Sequence, residues 1–227
     1  MNPRVFVIVP AFNEREVILS TLQSLLRAQY NVVVIDDGST DGTSALMTNC
    51  PVYLLRHAIN LGQGAALQTG MSFAVQEGAE IIVHFDADGQ HSIEDIESLI
   101  EPLRKGEADV VLGSRFLRQV DRSAVPPHKR LLLRAAVVVN WLATGVWLTD
   151  AHNGFRALTG DAAKRIRLRE AGFAHATEII GEIRRAGLRY VEKPTSIRYT
   201  DYSKGKGQPI WNAVNILIDL LLRRVFK

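Results

Sequence analysis

Hydrophobic and polar positions change period repeatedly along the first half of the chain. Aliphatic runs at Arg4 to Val9, Asn31 to Ile35, Val52 to Leu55, Glu80 to Phe85 and Asp109 to Leu112 have the length and β-branched character of buried strands. Between them, apolar residues recur at helical spacing. Glu14 to Ala28 carries Val17, Leu22, Leu25 and Leu26 on one face, and Thr40 to Thr48, Gly64 to Gln76 and Ile93 to Arg104 follow the same pattern. This alternation predicts an α/β fold with a mostly parallel central sheet and helices on both faces. Ligands of such sheets bind beyond the carboxyl ends of the strands, and several polar clusters fall there: Pro10 to Glu14, Asp36 to Thr40, Asp86 to His91 and Gly113 to Arg115.

The second half is less regular. Arg118 to Arg130 reads as a loop stiffened by Pro126 and Pro127. A helical segment runs to about Leu148, then turn and strand character from Asp150 to Leu158, a helix from Ala174 to Ala186, and a strand from Tyr190 to Tyr199. Ser203 to Pro209 is a basic, glycine-containing loop. The pattern predicts one domain over 1–209 and an amphipathic helix over 210–227, suited to a membrane surface or an interface.

Composition narrows the classes. The 227 residues are 47% hydrophobic and 22% charged, which suits a folded core rather than disorder. A net charge of +3 is too small to indicate nucleic acid. The basic residues cluster, however, at Arg115, Arg118, Arg122, Lys129, Arg130 and Arg134 and again at Arg223, Arg224 and Lys227, which fits an anionic partner or a solvated surface. Cys50 stands alone, so no intrachain disulfide forms. The N-terminus enters a strand pattern directly, with no basic leader or cleavage-site pattern, so no signal peptide is expected. The apolar stretch Leu131 to Leu148 is interrupted by Arg134 and Asn140 and falls short of a membrane span of roughly 20 residues. It and Trp211 to Phe226 suit a membrane surface, a core or a subunit interface.

The candidate chemistry centres on Phe85-Asp86-Ala87-Asp88-Gly89-Gln90-His91. Two carboxylates one residue apart at a strand end offer hard oxygen ligands to Mg²⁺ or Mn²⁺, and they equally offer turn chemistry. Asp36-Asp37-Gly38-Ser39 supplies carboxylates for base or ribose hydrogen bonds, or a helix N-cap. Asn60-Leu61-Gly62-Gln63-Gly64 permits close backbone approach or forms a plain turn. Neither GxGxxG nor GxxxxGK[ST] is present, which disfavours a dinucleotide dehydrogenase and a P-loop NTPase. The six histidines show no zinc spacing, and His91 follows the acidic pair without an assigned role.

Taken in order, Pro10-Ala11-Phe12-Asn13-Glu14, Asp36-Asp37-Gly38-Ser39-Thr40-Asp41-Gly42-Thr43, Asn60-Leu61-Gly62-Gln63-Gly64, Asp86-Ala87-Asp88, Gly113-Ser114-Arg115 and Asn153-Gly154-Phe155-Arg156 resemble the family 2 glycosyltransferases of GT-A fold. The likeness is greatest to the dolichyl-phosphate mannose synthase and polyprenyl-phosphate glycosyltransferase branch, and extends to about Gly207. It implies a nucleoside diphosphate sugar donor contacted by Pro10, Phe12, Glu14, Ile35, Asp37, Gly64, Asp86, Ala87, Arg115 and Lys206. It implies a metal held by Asp86, Asp88 and Gln90, with Asp88, Arg115 and Glu178 in catalysis. A polyprenyl phosphate acceptor is implied, or alternatively a sugar hydroxyl for which Glu178 would be the base. Work on a lipid acceptor implies a cytoplasmic enzyme peripherally associated with the inner face of the membrane, with oligomeric state left open. Two departures stand out: Thr200 replaces an arginine of the late loop, with Arg198 nearby, and Gly89 replaces a leucine. A sugar-1-phosphate nucleotidyltransferase would show a glycine-rich loop ending in arginine after the first strand, which Pro10 to Glu14 is not. A non-catalytic nucleotide-sugar binder is the remaining alternative.

Overall fold

The computed structural model describes residues 4–118, 127–151, 153–170 and 174–197. The late basic loop with Lys206, the positions Arg198 and Thr200, and the expected helix from Trp211 lie outside the described residues, as does most of the Arg118 to Arg130 loop.

The described chain runs β1 (Val5–Ala11), α1 (Ile18–Arg27), β2 (Asn31–Asp36), α2 (Thr43–Met47), β3 (Tyr53–Arg56), α3 (Gln63–Gln76), β4 (Ile81–His84), α4 (Glu94–Arg104), β5 (Val110–Ser114), α5 (Pro127–Thr144), β6 (Arg156–Thr159), α6 (Gly160–Arg165), α7 (His175–Arg185) and β7 (Tyr190–Pro194). Seven strands form one sheet in the order β3-β2-β1-β4-β6-β5-β7. All pairings are parallel except those of β6, which lies antiparallel between β4 and β5. Its start therefore lies at the edge where the other strands end.

Side-chain alternation sends each strand's residues to two separate cores. Phe6, Ile8, Val33, Ile35, Ile82, Val110, Leu112 and Leu158 pack on α3, α6 and α7. Val7, Val9, Val32, Val34, Val83, Val111 and Ala157 pack on α1 and α4. The strands read as continuous apolar runs because both faces are covered. α1 buries Ile18, Thr21, Leu22 and Leu25, the i, i+3, i+4, i+7 stripe of a helix laid on a sheet. α3 approaches closer still. A Cβ at Gly70 would come within 2.5 Å of Ile8 and 2.7 Å of Ile35, so the glycine lets the helix settle on the strands.

Several boundaries differ from the sequence expectation. The segment expected as helix from Glu14 starts with a turn, in which the Glu14 carbonyl accepts from the Val17 and Ile18 N–H groups. α5 starts earlier and stops at Thr144, where Gly145 adopts a left-handed φ of 72°. α6 has no counterpart in the sequence reading. It is a short helix with few apolar positions, and Thr159 caps it by accepting from the Ala162 N–H at 3.1 Å.

Candidate active site

The ends of β1 and β2 are tied into one platform. Asn13 sits at a positive φ of 54°, a conformation asparagine tolerates. Its N–H donates to Ser39 Oγ at 2.9 Å and its Oδ1 accepts from the Thr40 N–H at 2.9 Å. The Glu14 N–H donates to Thr43 Oγ1. Gly38 lies at φ +74° with the Ile59 carbonyl carbon only 2.6 Å from where a Cβ would stand, so both conformation and space demand glycine.

Asp36 and Asp37 are both buried but serve different ends. Asp36 Oδ1 accepts from the Ser39 N–H, while its Oδ2 lies 3.2 Å from Arg56 Nε. Asp37 holds the next loop: it accepts from the Leu61 N–H at 2.9 Å and the Gly62 N–H at 2.7 Å, and pairs with His57 Nδ1 at 2.7 Å. His57 is braced in turn by Thr69. Pro10 is buried in β1, whereas Phe12 is exposed at the rim along with Ile59 and Leu61. Ile35 is fully buried, with its Cδ1 against α3, so its side chain faces the core rather than the strand end. Gly64 is also enclosed by protein: a Cβ there would meet the Glu170 carbonyl oxygen at 2.0 Å and His175 Cβ at 2.8 Å.

β4 delivers the acidic pair. Asp86 Oδ1 accepts from Gln63 Nε2 at 3.0 Å, and Oδ2 pairs with His91 Nε2 at 2.9 Å. His91 is buried between Phe85 and Phe155, its ring centroid 4.6 Å from that of Phe155. Gly154 closes the other side, since a Cβ there would stand 2.8 Å from Asp86 Oδ2. Burial alone would raise the Asp86 carboxyl, but the hydrogen bond and charge of His91, with the charges of His175 and Arg156, hold it below the ordinary carboxylate range. Asp88 behaves oppositely. Burial, then the charge of Asp86, push it up to about 6, although the Gln90 N–H donates to its Oδ1 at 3.0 Å. Ala87 is buried, its carbonyl accepting from Thr21 Oγ1.

Two adjacent carboxylates with this much mutual repulsion suit a positive ion between them and a ligand. Carboxylate and amide oxygens from Asp86, Asp88 and Gln90 are the hard donors that Mg²⁺ or Mn²⁺ prefers. Among the described residues no group of three or more His, Cys, Asp or Glu is arranged to enclose a metal. A cation here would therefore take its remaining ligands from water and a diphosphate.

Beyond the pair, β5 ends at Ser114 and Arg115 follows it. The Arg115 guanidinium is clasped by buried Asp150 through Nε at 2.6 Å and Nη2 at 2.7 Å. Glu192 holds the backbone of Thr149 and Asp150, and Thr149 Oγ1 bonds Ser114 Oγ at 2.6 Å. Asn153 braces the start of β6 through Thr195 Oγ1 and the Phe155 N–H. Beneath lie two cross-strand neighbours, His84 and Arg156, both fully buried. Among the described residues, both His84 nitrogens and Arg156 Nη1 lack a hydrogen-bond partner. Burial, with Arg156 and His175 nearby, pushes His84 down to about 3, and burial brings Arg156 down to about 10 against the pull of Asp86 and Asp150.

Glu178, in the first turn of α7, accepts from the Arg169 N–H at 3.0 Å and the Glu170 N–H at 2.9 Å. It fastens the loop that packs on Gly64. The acidic pair, Glu14, Arg115 and Asp37 thus all lie on loops at the ligand edge, while Lys206 lies outside the described residues. Gln63, His57, Asp150 and Arg156 had no individual role from the sequence. Their importance comes from partners distant in sequence, although Gln63 and Arg156 fall inside recognisable motifs and His91 follows Asp86 by only five positions.

A parallel-rich sheet with an acidic pair and a cradle of loops at its ligand edge defines a glycosyltransferase of GT-A fold. The chain belongs to glycosyl transferase family 2, whose family model matches residues 6–167. It is 29% identical to UDP-N-acetylglucosamine–dolichyl-phosphate N-acetylglucosaminyltransferase of Methanococcus voltae, over 98% of this chain and 97% of that protein. It is 30% identical to undecaprenyl-phosphate mannosyltransferase of Micrococcus luteus, over 93% of this chain and 91% of that one. Among solved structures, glucosyl-3-phosphoglycerate synthase of Mycobacterium tuberculosis, in complex with Mn²⁺, UDP and glucosyl-3-phosphoglycerate, shares the fold. Its TM-score is 0.70 at 20% identity, covering 98% of this chain and 80% of that one.

Proposed function

We propose that this enzyme transfers a sugar, with inversion, from a nucleoside diphosphate sugar to a polyprenyl phosphate. Phe12, Glu14 and the Asp37-braced loop receive the nucleoside. Asp86, Asp88 and Gln90 would hold Mg²⁺ or Mn²⁺, which supplies positive charge to the diphosphate; the Mn²⁺ and UDP bound by the mycobacterial synthase support this reading. Arg115 and Lys206 add fixed positive charge as the bond from C1 to the diphosphate breaks. An acceptor phosphate oxygen attacks C1 from the opposite face, so the anomer inverts. The lipid tail places the reaction at the inner face of a membrane, with the donor reached from the cytoplasm.

The observation that carries the acceptor class is Glu178. A phosphate oxygen is already anionic and needs no base, whereas a hydroxyl acceptor needs one within hydrogen-bond reach. Both oxygens of Glu178 are engaged by backbone N–H groups. The near full-length likeness to two enzymes of lipid-phosphate glycosylation points the same way. Glu178→Gln should keep turnover within about tenfold of wild type with an unchanged pH profile. A fall of about 10²–10⁴ with donor binding intact is the signature of a lost general base, and would return the acceptor to a sugar hydroxyl. Asp88→Ala should abolish transfer while the circular dichroism spectrum stays native; full turnover in that variant would rule out the acidic pair as the catalytic centre.

A further inference from the structure

Away from the ligand edge, a cavity of about 550 Å³ opens between the C-terminal half of α3, α6 and the segment that follows α6. Sites for small ligands commonly have this size. Met71 and Leu168, both buried, give it an apolar lining to which Val75 adds. Lys164, Arg167 and Arg169 also line it, and the described lining holds no carboxylate. Asp161 pairs with Lys164 at 2.8 Å, whereas among the described residues neither guanidinium has an acidic partner. The two arginines therefore carry the uncompensated charge.

Solvated surface cations are the bland alternative, but these sit on a built wall. Ile166, at φ −87° and ψ 136°, begins an extended stretch in which Ile166 and Leu168 are buried while Arg167 and Arg169 are exposed. Alternation sends both guanidinium stems to one side. The stretch is tied to α3, because Gln68 Oε1 accepts from the Leu168 N–H at 2.8 Å. Gln68 is itself held, its Nε2 donating to Ser72 Oγ at 3.1 Å. Guanidinium forks match the oxygens of a phosphate. A thioether and aliphatic lining accepts a ring or a hydrocarbon body.

We propose that this cavity binds a phosphorylated small molecule with an apolar or aromatic body, and that its occupancy is felt at Asp86. The wall of the cavity runs on into Glu170, whose backbone carbonyl packs on Gly64 in the first turn of α3. Gln63, the neighbour of Gly64, donates to Asp86 Oδ1 at 3.0 Å. A ligand that fixes 167–169 against α3 therefore steadies a side chain that holds Asp86. By linkage, a cation on Asp86 tightens the ligand by the same factor. The coupling rests on the metal site proposed above; binding in the cavity does not.

The full chain has 3 methionines, so ¹³C-methyl labelling of methionine gives a sparse NMR spectrum, and Met71→Leu assigns the signal from the cavity. Adenosine monophosphate, geranyl phosphate and inorganic phosphate, each added in EDTA, are the probes. The Met71 methyl should shift saturably, and whichever of the first two binds tighter identifies the body. Arg167→Ala/Arg169→Ala should weaken binding at least about tenfold, the scale of losing hydrogen bonds to a charged group. Arg167→Glu/Arg169→Glu should weaken it further. Both pairs lie at the surface, and both variants should keep wild-type transfer without the probe. No saturable Met71 shift with any probe overturns the site, as does a shift that both variants leave unchanged. Mn²⁺ affinity, read by electron paramagnetic resonance, should rise about fivefold or more with the cavity filled in wild type but not in the variants. The variants also control for chelation of Mn²⁺ by the probe. Equal Mn²⁺ affinities in wild type and variants overturn the coupling. A Met71 shift in a protein that binds no Mn²⁺ overturns the metal reading and spares the cavity.

Discussion

Gly154 limits the site at the residue scale. It has no side chain, yet it fixes where Asp86 can stand, because an added methyl group would press within 2.8 Å of the carboxylate. Gly154→Ala should weaken Mn²⁺ binding measured by electron paramagnetic resonance by about tenfold, the scale of disturbing a metal ligand's supporting contacts, while the melting temperature moves little. His91 grips the same carboxylate from the other side. His91→Leu should lower Mn²⁺ affinity by about 10–100-fold. Unchanged affinity in both variants would show that the position of Asp86 does not matter for the metal. The acidic pair itself was readable from Asp86-Ala87-Asp88 at a strand end. Its brackets, Gln63, His91 and Gly154, were not, because each acts through a contact that only folding creates. Glu178 teaches the reverse lesson: the motif singled it out, but its carboxylate is committed to backbone N–H groups of the preceding loop.

The unit of behaviour at the element scale is the pair β4 and β6. Their cross-strand neighbours His84 and Arg156 are buried with unpartnered nitrogens, and His84 is held neutral down to about pH 3. An unfolded histidine takes up its proton near pH 6.5. Between these values the unfolded chain binds the extra proton, so stability rises with pH and is lost as pH falls through that window. One such group contributes a slope of up to about 1.4 kcal/mol per pH unit. Asp86, held low, acts in the same direction further down, while Asp88, lifted to about 6, opposes it between its unfolded value and that pH. The difference between wild type and His84→Leu isolates the histidine: urea unfolding at pH 7, 6, 5 and 4 should show the steeper loss in wild type. Parallel curves would mean that His84 titrates normally in the folded protein. The strands β1, β2 and β4 were legible because burial on both faces leaves runs of β-branched residues. The reversed direction of β6 was not, since direction depends on which neighbours a strand finds. α6 was missed because five or six residues do not establish a helical period.

For the whole molecule, the loops of the ligand edge are cross-braced into one frame: β1 to β2 through Asn13, β2 to α3 through Asp37, α3 to β4 through Gln63, and β5 to β7 through Thr149 and Glu192. The brace extends to the far end of the described chain. His91 pairs with Ile197 in an isolated antiparallel bridge, and Asp95 accepts from the Ser196 N–H at 2.7 Å. A ligand that completes such a frame stabilises the folded state as a unit. Saturating donor with Mn²⁺, at about a hundred times its dissociation constant, should add about 2.7 kcal/mol, or roughly 5–10 °C in melting temperature. Donor with EDTA should give much less, and an equal shift in both would remove the metal from donor binding.

The reversed strand divides the labour of the edge. In the proposed function, chains that leave a sheet at its carboxyl ends would supply the floor for the nucleoside, whereas β6 enters there, bringing Asn153 and Gly154 in from the side of α5 and Asp150. The described residues between Arg115 and Asn153 consequently depart from the edge and come back to it, where Asp150 clasps Arg115. Such an excursion can change its length, its greasiness or its charge over generations without shifting the floor, so one catalytic frame can be refitted for new recipients while keeping its sugar supply.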